Sequence, residues 1–145
     1  MGPEDLKSYL KDVLGKPFEL GSHDCIIFAN TCWHKLFGYG WADQWLGTYV
    51  KNGRWVPQSR LRAQMGFDTF EEAINSVMPR NLDRFPIRGS LVAVNTEEFY
   101  AGLAVGIAVD HRAAFVGPEG LTYIPIADVD KVWHPTLLKD KVNDV

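Results

Sequence analysis

Between Gly21 and Gly38 the chain carries the pattern that constrains it most. Gly-Ser-His-Asp-Cys runs straight into Ile-Ile-Phe-Ala-Asn-Thr-Cys-Trp. On a helix over residues 23–37, Cys25, Phe28, Ala29, Cys32, Trp33 and Leu36 recur at helical spacing and form one continuous apolar stripe. Gly38 supplies the stop, and Ser22 or Asp24 is placed to cap the free N–H groups of the first turn. An apolar stripe of this length has to be buried, so the rest of the chain must provide a layer to cover it.

Cys25 falls in the first turn of that helix, beside backbone N–H groups that favour negative charge. Such a position lowers a thiol's pKa and produces the nucleophilic thiolate. The same residue also reads as a small hydrophobe facing a core. Position alone leaves both readings open.

The remaining pattern is helical first and extended later. Pro3-Glu4-Asp5 opens a helix with Leu6, Tyr9, Leu10 and Val13 on one face, ended by Gly15. Lys16 to Leu20 is an extended approach to the central helix. Trp41 to Val50 reads as helical at its start, with Trp41, Trp45 and Tyr49 four apart on one face. Asn52-Gly53 is a turn signal. Pro57 to about Met65 reads as a short helix ended by Gly66. Asp68 then caps a helix over Phe70–Val77, closed by Pro79. In the second half, Leu91–Val94, Leu103–Val109, Ala113–Val116 and Leu121–Ile126 are short apolar runs separated by turns. Helices followed by an antiparallel meander predict an α+β fold, with the helices packed on one face of a small sheet. One domain over residues 1–138 is expected, with 139–145 as a flexible C-terminal tail.

Composition bounds the function. A net charge of −3 with both signs mixed argues against a nucleic-acid surface. No apolar run approaches the roughly 20 residues of a membrane span, and the N-terminal residues lack a secretory pattern. Cys25 and Cys32, separated by about 10 Å along a helix, are too far apart to bridge, so a reducing cytoplasm is expected. No cofactor is indicated. Metal is a poor fit too, because His23, Cys25 and Cys32 point unlike ways and no ligand-pair spacing occurs.

An Asp-Cys pair opening an apolar helix, then a helical insertion, then a small antiparallel sheet, resembles the NlpC-type cysteine peptidases. Those have a papain-like fold and cut peptide stems of bacterial cell wall. More narrowly, the chain is similar to an NlpC-like family encoded beside tail-tip genes of long-tailed bacteriophages. The resemblance rests on Leu20 to Cys25, Leu46-Gly47-Thr48-Tyr49, Arg88 to Val92, Val105 to Val109, Ala113 to Gly117, Gly120-Leu121 and Val132-Trp133. It covers residues 16 to 135.

The resemblance implies Cys25 as the nucleophile or its remnant. It also implies a histidine at the start of the Val105–Val109 run, but that place holds Ala104, or Leu103 with a one-residue slip. The residue that would orient the histidine falls near Phe115-Val116-Gly117, where nothing polar stands, and the usual Gly-Asp is Gly89-Ser90. Two other imidazoles are weak candidates. His23 is near Cys25 in sequence and would lower its pKa as an imidazolium, although residues two apart diverge on a helix. His111 sits in the turn after the strand, roughly five residues, or ~17 Å, past the place the resemblance gives the histidine. His34 and His134 read as solvated or core-edge residues.

The expectation is therefore a protein of the bacteriophage tail tip or baseplate, made in the host cytoplasm and carried in the virion. It would keep a peptidase scaffold and work by contacts with other hub proteins, with Trp41, Trp45, Trp55 and Trp133 as anchors. The alternatives are an active cysteine peptidase cutting peptidoglycan peptides during infection, and a tail-assembly chaperone.

Overall fold

The computed structural model describes residues 1–56, 60, 63, 66, 67, 69–78, 86–96 and 102–135. The fold is α+β. Helices α1 (Pro3–Asp12) and α2 (Cys25–Phe37) are followed by a hairpin of β1 (Val50–Lys51) and β2 (Arg54–Trp55), then by α3 (Phe70–Val77). The second half supplies β3 (Leu91–Asn95), β4 (Leu103–Val109), β5 (Arg112–Gly117), β6 (Gly120–Pro125) and β7 (Lys131–Trp133). These five form one antiparallel sheet in the order β6-β5-β4-β3-β7. The meander from β3 to β6 is as expected. The final strand is an addition: the chain returns across one edge so that Val132 and Trp133 pair with Val92 and Leu91.

Helix α2 is the centre of the molecule. Asp24 caps it, accepting the Ile27 N–H at 2.9 Å, and Gly38 ends it with a φ of 81° that a side chain would resist. Ser22, the other candidate cap, instead donates its hydroxyl to Glu19 at 2.7 Å. The apolar stripe is buried as predicted, with Phe28, Ala29, Cys32 and Trp33 inaccessible to solvent.

The sheet has apolar residues on both faces. Period-two alternation turns Leu103, Val105 and Ile107 of β4 toward the core that holds α2. It turns Ala104 and Ala108 into a second cluster with Val92, Val132, Phe115 and Val129. Gly106 is required where β4 meets β5, since a Cβ there would collide with the Ala114 carbonyl and lie 2.8 Å from the Phe115 ring. Helix α3 is fastened to β7 by Trp133, whose indole N–H donates to Asn75 at 2.7 Å, and by the Lys131–Glu71 ion pair at 3.3 Å.

Two local expectations change, and a third, the turn at Asn52-Gly53, is met and extended. Trp41 to Val50 holds only a three-residue 3-10 turn, Asp43–Trp45, because the chain turns extended at Leu46 and then takes a φ of 82° at Gly47. The cap of α3 is Thr69, which accepts the Glu72 N–H at 3.1 Å, one position later than Asp68. Asn52-Gly53 makes a hairpin turn with φ values of 56° and 75°, joining two strands that no alternation announced. The expected helix from Pro57 falls mostly outside the described residues, within which Arg60 and Ala63 are helical. Pro79 and the tail at 139–145 also lie outside them.

Candidate functional site

The loop before α2 folds back on itself. The Glu19 and His23 backbones exchange two hydrogen bonds of 2.9 and 2.8 Å, and Gly21 turns the chain with a φ of 88°. This places the Asp24 carboxylate at the helix N-terminus with three donors: the Gly21 N–H at 2.9 Å, the Ile27 N–H at 2.9 Å and the Tyr49 hydroxyl at 2.7 Å. Asp24 is buried, and this full set of partners makes that burial tolerable. Tyr49 packs its ring on Trp55 with centroids 5.4 Å apart, so the β1–β2 hairpin is tied directly to the start of the central helix.

Cys25 lies under this arrangement with 5% of its surface exposed. Burial pushes its thiol up to about 12; the backbone N–H of Val105 works against that shift, and the Asp24 charge adds to it. The helix terminus that would favour a thiolate is thus outweighed by desolvation and a neighbouring carboxylate. At neutral pH Cys25 is a thiol. Cys32, two turns further along the same face of α2, is pushed up by burial alone.

No imidazole is among the groups that shift the Cys25 thiol. The strand facing α2 turns Leu103, Val105, Ile107 and Val109 to this core, and Ala104 belongs to the opposite side of the sheet. Of the two residues that open this strand run, Leu103 is thus the one on the Cys25 side. His111 stands exposed in the two-residue turn between β4 and β5, six residues from Val105, a span of roughly 20 Å along a strand. Such a distance is out of reach of any proton transfer with Cys25.

His23 is buried, with 2% exposure, its ring set edge-on to Phe28 at 6.3 Å. Among the described residues its Nε2 has no hydrogen-bond partner. Burial lowers its pKa, and Lys16 lowers it further against the opposing pull of Asp24. It is thus neutral near pH 7 and supplies no imidazolium to Cys25. Ser90 is buried and accepts the Ile87 N–H through its hydroxyl at 2.9 Å, a loop-closing role.

Sequence reasoning missed a second polar group. Asn30, buried on α2, donates to Asp43 at 2.7 Å and accepts the Ala42 N–H at 2.8 Å. His34 meets the same Asp43 oxygen at 2.7 Å. Partial burial alone would raise the Asp43 pKa, but hydrogen bonds from Asn30 and His34 hold it below the usual carboxylate range. The signal was an asparagine inside an apolar helix. It locks the 3-10 turn, and Gly40 packs so closely that a Cβ there would strike Asn30 and Asp43.

The expected tryptophan anchors are mostly interior. Trp41, Trp45 and Trp133 are buried in the main core, which needed their bulk because the helices are short. Of the four, Trp55 alone is partly exposed. Among the described residues no group of three His, Cys, Asp or Glu side chains is placed to hold a metal ion, and no helix is long and apolar enough to cross a membrane.

No curated protein matches the chain. Residues 3–135 match a family model described as "Domain of unknown function (DUF6950)". That match takes in both helices that frame Cys25, the hairpin and the whole sheet, and so the chain belongs to the DUF6950 family.

Proposed function

We propose that this chain is a non-catalytic component of the bacteriophage tail tip or baseplate, an NlpC-like, papain-like scaffold that acts by docking on other hub proteins. The observation that carries the reading is the state of Cys25: a buried, protonated thiol opposed by the apolar side of β4. A cysteine peptidase requires a thiolate and a base within hydrogen-bond reach. Asp24 is adjacent, yet its oxygens are taken by Gly21, Ile27 and Tyr49. The motifs that resemble the phage family supply the tail-tip assignment, and function follows the site rather than the fold.

Purified phage particles from a host carrying wild-type or Cys25→Ala chain test it. The expected result is the chain in finished particles, equal infectivity for both forms, and no peptide release from purified cell wall. Release of wall peptides that Cys25→Ala abolishes would overturn the reading in favour of the peptidase. A chain required for assembly but absent from finished particles would replace it with the chaperone.

A further inference from the structure

Charge is not spread evenly along this chain. From Gln44 to Phe67 there is no acidic residue, while Lys51, Arg54, Arg60 and Arg62 all fall there, in a protein of net charge −3. Lys51, Arg54 and Arg60 are exposed and meet at the β1–β2 hairpin. They line two adjoining surface cavities. One, of about 500 Å³, is bounded by Lys51, Asn52, Arg54, Trp55, Val56 and Arg60. The other, of about 470 Å³, shares Lys51, Val56 and Arg60 and continues past Thr48 and Val50 toward Trp45. No salt bridge among the described residues engages any of the three cations.

We infer that this double groove binds an acidic, extended peptide segment of a partner protein, with carboxylates against Lys51, Arg54 and Arg60 and an apolar side chain against Trp55. Exposed cations without a salt-bridge partner among the described residues, around a concave, partly apolar floor, are the complement of such a segment. Trp55 supplies the aromatic anchor that interfaces favour, and the groove has room for the side chains of a few residues. A nucleic acid or membrane surface fits less well. The basic stretch is short, and the acidic remainder of the chain would repel a long polyanion. The hairpin reaches the rest of the fold through Tyr49, so an occupant would sit one side chain away from Asp24.

This inference rests on the docking reading and names the partner's chemistry, and the two fail separately. Cell-wall cleavage dependent on Cys25 would end the docking reading whatever binds the groove, whereas the groove is tested by binding alone. The probe is a short fluorescein-labelled peptide of alternating Glu and Ser with one central Leu, titrated with the full chain by fluorescence anisotropy. Binding should be lost with the Gln-for-Glu peptide, and Lys51→Glu with Arg54→Glu should weaken it by about tenfold or more. Trp55→Ala should weaken it while the charges remain. Arg54→Gln alone, a change at an exposed hairpin position, gives the same direction if the double reversal fails to fold, as judged by circular dichroism. Equal binding of the Gln peptide, or affinity indifferent to these substitutions, would overturn the inference. So would preference for inorganic tripolyphosphate, single-stranded DNA or phosphatidylserine vesicles over the Glu peptide.

Discussion

The Tyr49 hydroxyl donates a 2.7 Å hydrogen bond to the Asp24 carboxylate across 25 positions of sequence, in the interior of the protein. This contact joins the hairpin to the cap of the central helix, and it occupies the one acid beside Cys25. Burial and the bond to Asp24 both raise the Tyr49 pKa, so the hydroxyl stays a donor at any ordinary pH. The corner beside Cys25 is thus a structural joint.

Removing Asp24 leaves Tyr49 and two backbone N–H groups without their acceptor and uncaps α2. Asp24→Ala should cost about 2–4 kcal/mol in urea unfolding, and Tyr49→Phe about 1–2 kcal/mol. Because the two share one bond, the double variant should lose less than the sum. Additive losses would mean that the contact contributes nothing.

His23 gives the fold a pH dependence of known sign. Its pKa is lower in the folded protein than in the unfolded chain, so the unfolded state binds a proton more readily. Stability is full above the ordinary histidine pKa of about 6.5 and declines as pH falls through it toward the folded value. The melting temperature should drop between pH 7 and pH 5, and His23→Leu should remove most of that drop. The Asp43 contribution has a separate window. Its lowered pKa keeps stability intact above the ordinary aspartate value and loses it as pH falls below about 4, a step that Asn30→Ala should shrink.

Gly106 tests how closely β4 and β5 pack on the face of the sheet turned away from Cys25. Any side chain there meets the Ala114 carbonyl and the Phe115 ring, neither of which can withdraw from a paired strand. Gly106→Ala should destabilise by about 2–3 kcal/mol or prevent folding, although alanine is the smaller structural change on paper. Gly53→Ala, with open space around the Cβ but a φ of 75°, should cost only about 1 kcal/mol. Thermal melts of the two variants give the comparison.

Much of this architecture could be read from residues because it rests on local rules. The apolar stripe from Cys25 to Leu36, the stop at Gly38 and four of the five strands of the main sheet follow from periodicity and turn chemistry. What escaped depends on contacts distant in sequence. Strand β7 is three residues long and has no alternation of its own; it exists because β3 offers an open edge. Tyr49 reaches Asp24, and Asn30 reaches Asp43, through the tertiary fold alone. The tryptophans were legible as aromatic bulk, but which of them face inward is decided by the size of the core. Cys25 was legible as a cysteine in the first turn of a buried helix, yet its protonation is a balance between a helix terminus and burial that position by itself does not reveal.

The most direct test is the rate of Cys25 alkylation by iodoacetamide as a function of pH, followed by mass spectrometry of the peptide that carries it, with the protein held folded. Burial that raises the thiol pKa to about 12 predicts slow labelling at pH 7 and a rate that climbs without a plateau through pH 10. Rapid labelling that levels off near pH 6 to 7 would contradict the account, because it would reveal a thiolate poised for attack.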